Sequence, residues 1–231
     1  QSIDADLVRA DYRLFCLVFH GLAGFLGNVE VRSASIVLDP DKAPPPALLK
    51  PKERRTLAGL FPERLHLENV SMRIRSKPED LVVNSLELGL YPDREGNLAI
   101  KELRIPNVHA WSDISAATSY KNRNLFLRNL VLDRQTQFRL VNVDASKIDA
   151  KILIGALEGV LATGTVSSSV RVEQATESFV VGLQLEANRL SLDALGQYFG
   201  QPRVPKTWLQ PIRVDWRGSI TAPKTWNGSI L

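Results

Sequence analysis

Residues 160–172 read VLATGTVSSSVRV, and this stretch decides the fold class. Apolar or small residues occupy every second position from Val160 to Val172, while polar residues from Thr163 to Arg171 fill the positions between them. Successive side chains of a β-strand point to opposite faces of the sheet. The alternation therefore predicts a sheet that is apolar on one face and solvated on the other.

The same alternation occurs twice more toward the C-terminus, over residues 179–187 and 212–220. Between these two segments, residues 191–200 read SLDALGQYFG. Ser191 is a suitable N-cap, the apolar residues that follow have helical spacing, and Gly200 is a typical terminator. We therefore predict a short helix that lies across the sheet.

Six further strands are predicted between residues 65 and 154, joined by turns rich in Asp, Asn and Gly. Four of them share the pattern apolar, any, apolar, any, Asn, apolar. The shared asparagines are Asn69, Asn107, Asn129 and Asn142. In this register the amide falls on the apolar face, where it is costly unless it is hydrogen-bonded, so the pattern predicts a bulge or bend.

The N-terminal part of the chain has a different period. From Tyr12 to Leu26 apolar residues recur at spacings of three and four, which predicts a helix over residues 5–20 within a helical segment 1–27. Residues 28–62 are predicted to form a strand followed by a proline-rich basic connection, and residues 63–231 a β-sheet domain.

The connection carries the main local cluster of basic residues. This cluster consists of Lys50, Lys52, Arg54 and Arg55. It is either a solvated loop or a contact for anionic lipid headgroups or an acidic partner, since cations are attracted to an anionic surface.

Composition and motifs give no support for catalysis or nucleic-acid binding. The formal charge is +4, but basic and acidic residues alternate along most predicted strands, so nucleic acid is not expected as a partner. The single cysteine, Cys16, excludes an intrachain disulfide, and the three histidines are not spaced as metal ligands. Because nucleophile elbows, Walker loops and zinc-protease motifs are also missing, we expect no catalytic residue, metal or cofactor. A hydrolase whose carboxylates follow no recognisable pattern is the least favoured alternative.

A family resemblance rests on the C-terminal residues. The helix that begins Leu192-Asp193 is followed by prolines and by a strand whose end runs from Gly218 to Pro223. This combination, together with the repeated Leu-x-Leu-x-Asn strands, resembles AsmA-like and TamB-like bacterial envelope proteins. The resemblance implies a fragment of a periplasmic protein, anchored at the inner membrane through parts absent here. It also implies a mainly β fold in which a long curved antiparallel sheet with short helices forms an open groove, or β-taco, that carries lipid.

We therefore expect a non-catalytic segment that binds acyl chains of phospholipids or other lipids. Such a segment would conduct lipid between membranes or support outer-membrane assembly, with assembly proteins as further partners. The residues predicted to face the groove are Val160, Ala162, Val166, Val170, Phe179, Val181, Leu183, Leu185, Ile212, Val214 and Trp216. The same residues could instead form a closed core. The alternative function is a carbohydrate- or protein-binding β-sandwich, in which two sheets bury these residues against each other.

Overall fold

The computed structural model describes residues 2–12, 26–39, 62–75, 79–106, 108–147, 151–174, 179–201, 204–209, 211–219 and 222–230. The chain divides into two compact units, Gln1–Lys121 and Asn122–Leu231. Strands predominate in both units, so the predicted mainly β fold is confirmed.

The first unit is a six-stranded sheet in which the strands are hydrogen-bonded in sequence order. Its strands are β1 (Ser2–Tyr12), β2 (Leu26–Leu38), β3 (Arg64–Ile74), β4 (Leu81–Leu90), β5 (Gly96–Ile105) and β6 (His109–Lys121). All neighbours are antiparallel except β2 and β3, which are parallel. The parallel pair lies at the junction between the predicted segment 28–62 and the predicted sheet domain 63–231, within which every described strand pair is antiparallel. The long connection between β2 and β3 explains the parallel pairing, because parallel neighbours need a crossover of a dozen residues or more.

The predicted N-terminal helix is wrong where the structure describes it. Residues 2–12 form β1, in which Ile3 pairs with Ile36 and Val8 with Val31 of β2. Such cross-strand apolar pairs stabilise a strand over residues 2–12, whereas the helical spacing of the sequence begins only at Tyr12. Residues 13–25 lie outside the described residues, as does the basic cluster at positions 50–55.

An irregularity crosses the strands of the first unit about halfway along their length. Left-handed φ angles occur there at Ser33 (48°), Asn69 (51°), Ser85 (49°) and Asp113 (57°). Near these positions each neighbouring pair of strands lacks one or more Cα pairings, for example that of Asp6 with Ser33 and that of Lys101 with Asp113. We call this line across β1–β6 the crease.

The crease preserves the apolar face of the first unit. In β6, Trp111 and Ile114 are 7% and 2% exposed, whereas Ser112 and Asp113 between them are exposed. A single left-handed residue thus lets two consecutive side chains point outward, after which the apolar alternation resumes on the original face. Asn, Asp and Ser fit this role because short polar side chains tolerate the left-handed region better than β-branched ones.

The bend predicted from the asparagine pattern is confirmed at two positions. Asn69 and Asn129 have φ angles of 51° and 52°, and both are exposed rather than placed on the apolar face. Asn142 has no left-handed φ, although the register of its strand shifts nearby, between Phe138 and Leu140. Asn107 lies outside the described residues.

The second unit is a seven-stranded antiparallel sheet with a short helix. The strands of the sheet, in hydrogen-bonded order, are β7 (Asn124–Val131), β8 (Thr136–Asp144), β9 (Ile152–Leu161), β10 (Gly164–Gln174), β11 (Phe179–Asn188), β14 (Ile212–Ser219) and β15 (Ala222–Ile230). A separate two-stranded ribbon is formed by β12 (Leu190–Ser191) and β13 (Trp208–Leu209). The predicted short helix is present as α1 (Leu192–Tyr198) and begins after the predicted cap, Ser191.

Candidate functional site

One face of the second unit carries most of the residues predicted from the sequence. We call it the apolar face, and its described members on β10, β11 and β14 are Val166, Val170, Val181, Leu183, Leu185, Ala187, Ile212, Val214 and Trp216. Cross-strand pairing arranges them in rows. In one row Val170 lies opposite Leu183, which lies opposite Trp216. These side chains therefore share one face of the sheet, as the period-two pattern of the sequence predicts.

Two predicted groove residues do not belong to this face. Ala162 and Thr163 form the turn between β9 and β10, so the segment that alternates from 160 onward is a hairpin rather than one strand. Val160 pairs with Thr165, on the polar face, and is 42% exposed. The remaining predicted residue, Phe179, begins β11 opposite Gln174.

The ribbon and helix cover one end of the apolar face. We call the segment formed by β12, α1 and β13 the cap. Val166 and Ala187 of the sheet form a buried cluster with Leu190 of the cap, each with an exposed fraction of 6% or 7%. The apolar residues packed against these three are Phe138, Leu157, Leu161, Leu195 and Leu209. This end of the face is a closed core, in line with one of the two expectations from the sequence.

Polar contacts fix the cap in place. The Tyr198 hydroxyl donates a hydrogen bond of 2.6 Å to a carboxylate oxygen of Asp133, which follows β7. The backbone N–H of Leu192 donates to the carbonyl of Thr207 at 2.9 Å. The helix and the returning chain are therefore connected both to each other and to the sheet.

The N-terminus of α1 is capped by side chains. The Ser191 hydroxyl accepts a hydrogen bond from the backbone N–H of Ala194 at 3.4 Å and donates one to the carboxylate of Asp193. That donated hydrogen bond lowers the pKa of Asp193 below its ordinary value. A negative charge in the first turn is also favoured by the helix dipole.

Beyond the cap the apolar face is more accessible. Val170 and Leu183 are half-buried, and Trp216 is 39% exposed. Val166 and Ala187, which lie on the same strands as Val170 and Leu183, are buried. Contiguous apolar side chains that remain accessible are a recognised feature of binding surfaces.

The opposite face of the same strands is polar. The Gln184 amide donates a hydrogen bond to Asp215 at 3.2 Å, and the Ser169 hydroxyl lies 3.4 Å from the Gln184 side-chain oxygen. Arg171 and Arg217 both pair with Glu173, at 2.6 Å and 3.2 Å. The two faces of this sheet are thus chemically distinct, and only one is suited to apolar ligands.

The sequence interpretation missed a second apolar face, in the first unit. Ala34, Val70, Trp111 and Ile114 are buried on its strands. The signal was present in the sequence as apolar residues spaced two, three and two apart, such as Ile3, Ala5, Val8 and Ala10 in β1. This spacing fits neither a regular strand nor a helix, because it includes the crease.

Side chains able to bind a metal ion are dispersed over the described residues. Among them, no group of three His, Cys, Asp or Glu side chains could hold a metal ion. The pKa of Asp144 is lowered by the Ser146 side chain and backbone, which is a turn contact. None of the helices in the described ranges has the length and apolar character needed to cross a membrane.

Comparison with known proteins does not assign a family. No protein-family model matches the chain, and no curated protein or solved structure matches it significantly.

Proposed function

We propose that the apolar face of the second unit binds the acyl chains of lipids. The observation that carries this proposal is the uneven cover of that face. Under the cap Val166 is 6% exposed, whereas Trp216, on the same face, is 39% exposed. An acyl chain along the row of Val170, Leu183 and Trp216 would shield apolar surface that otherwise contacts water.

The energetics of such binding need no specific polar contact. Apolar area removed from water contributes about 25 cal/mol per Å², and each buried methylene about 0.8 kcal/mol. An acyl chain that covers one row would therefore gain several kcal/mol. The surface would distinguish lipids by chain length more than by headgroup.

The cellular role follows from the resemblance of the C-terminal segment to AsmA-like and TamB-like proteins. On that basis we propose that the chain is part of a periplasmic protein anchored at the inner membrane. It would conduct phospholipid between membranes or support outer-membrane assembly, without catalysing a reaction. The β-sandwich alternative has less support, because the seven long strands of the second unit form one sheet rather than two facing sheets.

Site-specific photo-crosslinking in cells tests the proposal. A photoreactive residue at position 170 or 183 should label lipid, and native mass spectrometry should detect bound phospholipid on the purified protein. The same residue in place of Ser169 or Gln184, on the polar face of the same strands, serves as the matched control and should label little lipid. Equal labelling from both faces, or purified protein without lipid, would contradict the proposal.

A further inference from the structure

The outer strand of the first unit leaves one edge unpaired within the described ranges. Among the described strands, β1 pairs with β2 alone. Its side chains are exposed from Ser2 to Arg9, including Ile3 at 71% and Val8 at 66%. An edge strand with exposed apolar positions is a template for another strand, unless charges or bulges oppose the pairing.

We propose that β1 joins two copies of this chain by antiparallel pairing about a two-fold axis between Asp6 and Leu7. The sequence of β1 identifies the partner as a second copy of this chain. When two β1 strands are aligned antiparallel, apolar residues face apolar residues and acidic residues face basic ones. Residues related by the axis have numbers that sum to 13. On the apolar side, Ile3 then faces Ala10 of the other copy, and Ala5 faces Val8.

The polar side is complementary in charge. The same register places Asp4 of each copy opposite Arg9 of the other, so two equivalent ion pairs form. Within one copy Arg9 lies 3.5 Å from Asp11, and both side chains are largely exposed, so Arg9 remains accessible to the second copy. Opposite charges directly across a strand pair stabilise it, and like charges destabilise it.

The crease makes the register unique. In a regular strand a shift of two residues keeps apolar side chains on the same face. In β1 the apolar residues Ala5 and Val8 are three positions apart. If one β1 strand slides by two residues along the other, Ala5 or Val8 comes to lie opposite a residue that points to the polar face. Only the proposed axis places the crease of one copy beside the crease of the other and keeps apolar residues opposite apolar residues in both kinds of pair. A two-fold interface requires that each copy present the same surface to the other.

The proposal does not depend on lipid binding, since it rests on β1 alone. Its consequence is that the apolar faces of two first units would meet at the axis and continue into one another. A strand from elsewhere in a longer chain, or from another protein, could compete for the same edge. The experiment below distinguishes these occupants from a second copy.

Sedimentation velocity with charge variants is the test. The wild-type chain should form a dimer. Asp4→Arg places arginine against Arg9 in both pairs, and Arg9→Asp places aspartate against Asp4. Each variant alone should weaken the dimer about tenfold or more, because two pairs change from attraction to repulsion. An equimolar mixture of the two variants should dimerise again, because both pairs then join opposite charges.

Two controls accompany the mixture. Glu87→Arg makes the same charge change as Asp4→Arg at an exposed position of β4 and should leave the dimer intact. Circular dichroism checks folding, particularly for Arg9→Asp, which faces Glu30 of β2. A monomeric wild-type chain overturns the proposal, as does a dimer that both variants leave unchanged. Protection in a monomer of the β1 amides that do not bond to β2, measured by hydrogen exchange, would also overturn it and show that another strand occupies the edge.

Discussion

Gly155 of β9 lies directly opposite Val170 of β10, in the accessible part of the apolar face. A Cβ atom at Gly155 would meet nothing nearer than the backbone oxygen of Asn142, at 3.9 Å. A large side chain can therefore be added here without a backbone clash. Within the row of Val170, Leu183 and Trp216, Gly155 leaves space at the position where an acyl chain would lie.

This space gives a direct test of lipid binding. Gly155→Phe should fill it and lower the lipid bound to the purified protein several-fold, as measured by native mass spectrometry. The matched control is Gly182→Phe, on the opposite face, where a Cβ would lie 4.0 Å from the backbone oxygen of Arg171. If both variants lower bound lipid equally, the apolar face is not the binding surface.

The hydrogen bond from Tyr198 to Asp133 predicts a role for one hydroxyl in holding the cap. Tyr198→Phe should reduce the free energy of unfolding by about 1 kcal/mol, because the Asp133 carboxylate loses the hydroxyl that donates to it. Urea denaturation measures the loss, and faster hydrogen exchange in α1 locates it. Tyr120→Phe is the control, since its hydroxyl lies a longer 3.4 Å from the Pro62 carbonyl oxygen in the first unit. Equal effects on α1 from both variants would show that the cap does not depend on Tyr198.

The crease can be tested with two serines on the same strand. Ser33 has a φ of 48°, whereas Ser35, two residues later in β2, has no left-handed angle, and both are exposed. Ser33→Val should destabilise the first unit by about 1–2 kcal/mol, because a β-branched residue is strained in the left-handed region. Ser35→Val should be neutral or slightly stabilising, since valine favours strands. Thermal unfolding compares the two, and a Ser33→Val variant as stable as wild type would contradict a strained crease.

The period-two pattern was sufficient to predict the β fold and most of one apolar face. It failed at Ala162, because the turn there lies within an alternating segment and leaves the apparent alternation unbroken. It failed again at Val160, since chain reversal at that turn places this residue on the polar face. Sequence alternation alone does not distinguish one long strand from a hairpin whose turn preserves the pattern.

The first unit was harder to predict for a related reason. A spacing of three between Ala5 and Val8 is shared by helices and by creased strands, and only the cross-strand partners distinguish them. The sequence shows that the connection between β2 and β3 is long enough for a parallel crossover. Apolar spacing, however, does not indicate whether two neighbouring strands run parallel or antiparallel. The cap covers one end of the apolar face through tertiary packing, in which Leu195 contacts the cluster of Val166, Ala187 and Leu190, and strand periodicity does not predict such contacts.

The capping contact at Ser191 leads to a prediction about pH. The Ser191 hydrogen bond lowers the pKa of Asp193 below the ordinary value of 3.8. A carboxylate whose pKa is lower in the folded state contributes stability above its unfolded pKa and loses it as pH falls through the folded value. The stability difference between wild type and Asp193→Asn should therefore be constant near neutral pH and shrink below about pH 4.

The variant Ser191→Ala tests whether the Ser191 hydroxyl lowers the pKa of Asp193. NMR titration should show the pKa of Asp193 rising toward 3.8, while the pKa of Asp144, lowered by Ser146 in a distant turn, should not change. The variant should also lose about 1 kcal/mol at neutral pH, because the N-cap hydroxyl no longer accepts from the Ala194 N–H. An unchanged pKa of Asp193 would mean that the serine hydroxyl points elsewhere in solution. The cap would then be held by apolar packing and the Tyr198 contact, and its cover of Val166 and Ala187 would be independent of pH.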